Sequence, residues 1–169
     1  MRVVVDTNVI VYYLLGTEPF VDEVKAFWAM VTEPIAPASW EAEVANVLWM
    51  SVRAKIVTPA EAVTRLDYAM ALGVQSRPVP SLWKGALARA VQKTVAVYDT
   101  LFVELAVREG IPMATFDTPV LKAFPAIAKK PHEISPKPSR TSIWKKRRAK
   151  PRFDEAVTPG GHRVTLLRA

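Results

Sequence analysis

The stretch "VVVDTNVIVYYLL", Val3 to Leu15, is almost wholly apolar and holds one carboxylate, Asp6, and one amide, Asn8. Its β-branched start reads as a short buried strand over Arg2–Val5, and Asn8–Leu15 follows as a helix. An unpaired carboxylate is too costly to desolvate for Asp6 to sit within a plain hydrophobic element. The chain is therefore limited to folds in which a buried strand feeds a helix and Asp6 marks the junction.

The remaining segments repeat this alternation. Pro19–Met30 reads as a helix with Pro19 near its start. Ile35–Pro37 is a brief extended piece, and Ser39 is the expected N-cap of a helix from Trp40 to Lys55. Thr58-Pro59 opens a helix running to Leu72, and Val74–Pro80 reads as extended. Leu82–Lys93 and Val97–Glu109 are helical, the second ending at Gly110 as its C′ residue. Ile111–Phe116 is the last strand, and Thr118-Pro119 starts a final short helix. Short strands separated by helices imply crossover connections, hence an α/β fold with a central parallel sheet covered on both faces. In such sheets ligands sit beyond the carboxyl ends of the strands.

Charge divides the chain in two. Residues 1–128 carry 11 Lys+Arg against 13 Asp+Glu, a net of −2, whereas residues 129–169 carry 12 against 3, a net of +9, within a total of +7. The expected organisation is one globular domain over 1–128 and a basic, Pro-rich tail over 129–169 that is extended or disordered when alone. With no cysteine, disulfides, thiolate metal sites and a Cys nucleophile are excluded, which suits a reducing cytosol. The uncharged run from Thr7 to Thr17 covers only 11 residues, too few to span a membrane. Asp6 interrupts the apolar region that a signal peptide would need. A soluble cytoplasmic protein without a membrane partner is the expectation.

Asp6 and Asp117 each follow a strand, at the edge where ligands bind. The plain structural reading of each is a helix N-cap. Asp117 fits that poorly, since Thr118 with Pro119 makes a better cap-and-N1 pair, and Asn8 is available to cap the first helix. Both acids are expected to be left over after capping. Asp99 lies in the first turn of its helix, where the dipole favours negative charge, and shares a stripe with Phe102, Val103 and Ala106 that points it inward. In the Trp40 helix, Glu41 and Glu43 flank the apolar stripe of Trp40, Val44, Val47 and Leu48 on opposite sides, and periodicity does not choose between them.

Carboxylates converging at a sheet edge repel one another unless cations neutralise them. An all-oxygen set suits Mg²⁺ or Mn²⁺ rather than zinc. Such ions bind a phosphodiester and lower the pKa of a water nucleophile. The core offers no histidine as general base, because His132 and His162 both fall outside it. The body lacks G-x-x-x-x-G-K-[ST], G-x-G-x-x-G and G-x-S-x-G patterns, which argues against nucleotide-loop and serine-hydrolase chemistry.

Four segments, "VVVDTNVIV", "SWEAEVANVL", "VYDTLFVELA" and "MATFDTPVL", together resemble the PIN-domain ribonucleases, particularly the VapC-type toxins of toxin–antitoxin pairs. Their order and separations match over residues 1–128. The resemblance implies a PIN-like three-layer α/β/α domain with Asp6, Glu43, Asp99 and Asp117 as the catalytic, metal-holding acids. The E-V-x-N-V-L pattern is what selects Glu43 over Glu41. Thr7, Asn8 and Thr115 match polar positions that orient acids, water or phosphate. Also implied are Mg²⁺- or Mn²⁺-dependent hydrolysis of RNA to 3′-hydroxyl and 5′-phosphate ends, a homodimer, and inhibition by a cognate antitoxin. Some members carry an additional acid just beyond the last one, where this chain has Thr118, Pro119 and Val120; the departure bears on a second metal ion and not on the first.

Two other readings stand beside it: within the enzyme class, a PIN nuclease for RNA processing without an antitoxin; outside it, a non-catalytic RNA-binding protein that works through its tail. In the tail, Trp144, Lys145, Lys146, Arg147 and Arg148 are the candidate RNA contacts, combining phosphate-binding charge with a ring able to stack on a base. The plain alternative for that segment is a solvated end.

Overall fold

The structure, a computed structural model, describes residues 1–134 together with the backbone of Asp154–Val157 and Arg163–Leu166. The chain divides into two units, Met1–Pro136 and Lys137–Ala169. Trp144, Lys145, Lys146, Arg147 and Arg148 lie outside the described residues. Within the second unit, Asp154–Val157 and Arg163–Leu166 are strands paired antiparallel.

In the first unit, β1 (Arg2–Val5), β2 (Glu33–Pro37), β3 (Gln75–Arg77), β4 (Met113–Ala114) and β5 (Ala128–Lys129) form a five-stranded sheet in the order β3-β2-β1-β4-β5. Every pairing in it is parallel. The helices of the crossovers are α1 (Thr7–Leu15), α2 (Val21–Trp28), α3 (Ser39–Arg53), α4 (Pro59–Ala71), α5 (Trp83–Lys93), α6 (Val97–Glu109) and α7 (Thr118–Ala123), and α8 (Pro131–Ile134) follows β5. The result is the expected three-layer α/β/α arrangement around a parallel sheet. Among the described residues no helix is long and apolar enough to cross a membrane.

β1 is the central strand. Val3, Val4 and Val5 are completely buried, as a strand covered on both faces requires. Its neighbours β2 and β4 are reached by connections leaving in opposite directions, so the carboxyl ends of β1 and β4 face a topological switch point. Asp6 directly follows one of these strands, and Thr115 to Asp117 follow the other.

Several local readings are corrected. The helix expected from Pro19 begins at Val21, with Phe20 at its N-cap. Ser39 is not an N-cap: Ala38 takes that position, α3 starts at Ser39, and the Ser39 hydroxyl is buried without a partner among the described residues. Regular structure also continues past residue 128, through β5 and α8. By contrast, Thr58 opens α4 with a full capping box to Glu61, and Gly110 ends α6 at φ 65°.

The α5–α6 contact is unusually close. A Cβ placed on Gly85 would lie 2.1 Å from Glu104 Oε1. Glu104 is 5% exposed and receives Arg89 Nε at 2.8 Å and Arg108 Nε at 2.6 Å. Burial disfavours its charge, but the two guanidinium hydrogen bonds outweigh this and hold its carboxyl below the usual range. Gly85→Ala should therefore destabilise the protein by about 1–3 kcal/mol, because a carboxylate fixed on two sides cannot step aside. In a Glu104→Ala background the same change should be neutral or stabilising, as alanine favours a helix interior. Urea denaturation of the four proteins reads the coupling; additive effects would contradict the close packing.

Candidate active site

Four carboxylates from four elements line one cavity of about 390 Å³: Asp6, Glu43, Asp99 and Asp117. Asp6 follows β1, Glu43 lies on α3, Asp99 on the first turn of α6, and Asp117 after β4. Asp99 is half-buried, and Phe102, Val103 and Ala106 below it are buried, as the helical stripe predicts. Glu41 stays outside the cavity, exposed, where the Ser76 hydroxyl donates to it. Glu43 instead accepts from the Thr7 hydroxyl at 2.6 Å. Geometry thus separates the two glutamates that helical periodicity leaves equivalent.

A hydrogen-bond network joins the β1–α1 junction to the β4–α7 loop. Asp6 Oδ2 accepts from the fully buried Thr115 hydroxyl at 2.5 Å and from the Asn8 amide at 2.8 Å. The same Thr115 oxygen accepts from Asp117 N–H at 2.9 Å and from Asn8 Nδ2 at 3.1 Å. Asn8 Oδ1 in turn accepts from Phe116 N–H at 3.2 Å. The three polar residues singled out in the sequence, Thr7, Asn8 and Thr115, each hold an acid or its loop.

Two expectations about capping are revised. Asp6 occupies the N-cap position of α1, although its carboxylate caps nothing and turns to Thr115 and Asn8; Asn8 lies inside the helix. Asp117 is a true N-cap, with Oδ1 accepting from Val120 N–H at 2.7 Å. Thr118 begins the helix and Pro119 at the second position has no N–H, so the donor the Asp117 carboxylate takes is Val120 N–H at the third.

Several of the acids leave oxygens open to a ligand. Glu43 and Asp117 each commit one oxygen to a hydrogen bond and have no partner on the other among the described residues, whereas Asp6 is held by Thr115 and by the side chain and backbone of Asn8. Glu43 Oε1 is buried as well as unpaired, a state that costs free energy without a ligand. Burial, with the Asp99 and Glu43 charges adding to it against the Thr115 hydrogen bond, pushes Asp6 up to about 7. Burial and the neighbouring Asp117 and Glu43 charges also raise Asp99. Oriented, all-oxygen, mutually repelling donors fit a hard divalent cation. Among the described residues no group of three or more Asp, Glu or His side chains is drawn close enough to hold a metal ion by itself. Mg²⁺ needs no such group, because it binds through one or two carboxylates and keeps water or substrate oxygens in its remaining positions.

Tyr12 and Asn46 also line the cavity, and neither stands out in the sequence as a site residue. The signal that could find Asn46 is its place as the amide of E-V-x-N-V-L, three residues after Glu43 and so on the same helix face.

The raised pKa of Asp6 has a definite consequence for stability. The native state binds more protons than the unfolded chain between roughly pH 4 and 7, so stability falls as pH rises through that window. Without added metal, wild type should lose about 2 kcal/mol more than Asp6→Asn between pH 5 and pH 8, measured by urea denaturation. Parallel pH profiles for the two proteins would show that Asp6 is not held in this environment.

A family model for the PIN domain matches residues 3–127. Ribonuclease VapC3 of Mycobacterium tuberculosis, from strains CDC 1551 / Oshkosh and ATCC 25618 / H37Rv, is 33% identical over 125 residues, covering 74% of this chain and 89% of the relative. A toxin-antitoxin complex from Klebsiella pneumoniae contains a chain that superposes with a TM-score of 0.54 at 18% identity, covering 77% of this chain and 98% of that one. That last likeness is one of fold alone. With its ordered acids, its parallel sheet and a matching relative over most of its length, the chain belongs to the PIN domain family, in its VapC-type group.

Proposed function

We propose that the protein is a metal-dependent endoribonuclease and the toxin of a VapBC-type toxin–antitoxin pair. The observation that carries this reading is the single cavity in which Asp6, Glu43, Asp99 and Asp117 meet at the carboxyl edge of the sheet. The M. tuberculosis relatives are named as ribonucleases, and the structural neighbour as a toxin-antitoxin complex. The metal of this reading is Mg²⁺ or Mn²⁺, held directly by one or two of these four acids, with water or RNA oxygens in the remaining positions and the other acids acting through them.

Bound there, the ion would polarise the phosphodiester and lower the pKa of the attacking water. The chain's own part is orientation. Thr115 and Asn8 fix Asp6 through Oδ2. Thr7 does the same for Glu43, and Val120 N–H for Asp117. Asp99, placed by the packed stripe of α6, receives no hydrogen bond among the described residues and is free to serve metal or water.

An antitoxin fits the same electrostatics. A lysine or arginine from a partner could occupy the space between the acids and neutralise them as a metal ion does. RNA as substrate, a cognate antitoxin as inhibitor and a homodimer as the active form are parts of this reading. Purified protein incubated with mixed RNAs and Mn²⁺ should cleave internally, and metal chelation should stop it. Asp99→Asn should lower the rate by more than the roughly hundredfold that loss of an outer-shell metal contact costs. Glu41→Gln, two residues from Glu43 but outside the cavity, should be nearly neutral. Normal cleavage by Asp99→Asn would refute the site.

A further inference from the structure

A phosphodiester carries negative charge and only acceptor oxygens, yet the cavity that would receive it is lined by four carboxylates. No lysine or arginine lines it among the described residues. Beyond a metal ion, side-chain donors lining the cavity are what can hold the RNA backbone by side-chain contact, and most of these are already committed. The Thr7 hydroxyl goes to Glu43, and the Asn8 amide goes to Asp6 and Thr115. Two lining donors remain, the Tyr12 hydroxyl and the Asn46 amide, and neither makes a hydrogen bond among the described residues.

Their placement is orderly. Tyr12 lies one helical turn after Asn8 on α1, and Asn46 lies one turn after Glu43 on α3, so each extends the face that carries the acid network. The Tyr12 ring is stacked on Phe20 with centroids 4.6 Å apart and planes 11° apart, and Phe116 lies against both rings at 5.4 and 4.8 Å. Phe116 is bonded through its N–H to Asn8, which ties the aromatic cluster to the network that holds Asp6. The Tyr12 hydroxyl is therefore presented from a ring with little freedom left to lose on binding. Asn46 is exposed at the other side of the cavity mouth, and packing alone gives an amide there no task.

We propose that Tyr12 and Asn46 are the substrate-positioning pair of this site, donating hydrogen bonds to phosphate oxygens of the RNA strand and holding it against the acids. The assignment rests on the endoribonuclease reading. Contacts of this kind fix the position of the backbone and carry no base preference.

The test uses the full chain, a short single-stranded oligoribonucleotide, and about 0.2 M salt, at which distant basic residues are screened. Affinity is measured in Ca²⁺ and cleavage in Mn²⁺ for wild type, Tyr12→Phe, Asn46→Ala and the double variant. Each single change should weaken binding and raise KM about tenfold, as loss of a hydrogen bond to a charged group does. The double variant should lose roughly the product of the two. Thermal stability, and the rise in Tm on adding Mn²⁺, should be unchanged, since Tyr12→Phe keeps the stacked ring and Asn46→Ala lies on an exposed helix face. A wild type that cleaves RNA, paired with a double variant of unchanged Kd and KM, would overturn this inference alone. So would a fall in kcat without weaker binding. A wild type inert towards RNA would instead overturn the ribonuclease reading.

Discussion

The site depends on the buried hydroxyl of Thr115. One oxygen atom donates to Asp6 and accepts from Asp117 N–H and the Asn8 amide, so it joins the ends of two neighbouring parallel strands. Without it Asp6 would be a buried carboxylate held by Asn8 alone, and the β4–α7 loop would keep only the Phe116 N–H bond to Asn8 as its side-chain tie to the β1–α1 junction. Parallel pairing of β1 and β4 is what brings the two ends to the same edge. The wholly apolar run Val3–Val5 of β1 supplies the rigid base on which that arrangement rests.

An arrangement of this kind is unfavourable by itself. Asp6 is pushed up to about 7, Asp99 is raised by burial and by Asp117 and Glu43 beside it, and Glu43 keeps one buried oxygen unpaired. The protein core offsets this, as functional sites generally trade stability for a poised geometry. One cause then explains two properties. An acidic cavity with no cationic side chain of its own, among the described residues, calls for an external cation. In the proposed mechanism a divalent ion activates the site and a partner's basic side chain silences it.

Much of the fold was legible in the sequence wherever a local signal was complete. The bounds of α6 followed from its apolar stripe and from Gly110, whose positive φ needs no Cβ. Thr58-Pro59 with Glu61 marked the start of α4 through a side-chain motif closed within four residues. The strand β5 was missed because two residues carry no periodicity; its identity comes from pairing with β4. Ser39 looked like a cap by type, but the helix takes Ala38 as its boundary. The capping role of Asp117 was hidden because it turns on where Pro119 removes a donor. The choice between Glu41 and Glu43 depends on Thr7, a contact across 36 positions that no window on α3 contains.

The central claim is that the acids act together on one divalent ion. Titration of Mn²⁺ into the metal-free protein, followed by calorimetry or by loss of the free-ion resonance signal, tests this without any RNA or partner. Wild type is predicted to bind with an affinity that falls at least about tenfold in Glu43→Gln. Binding of equal strength in wild type and Glu43→Gln would contradict the claim.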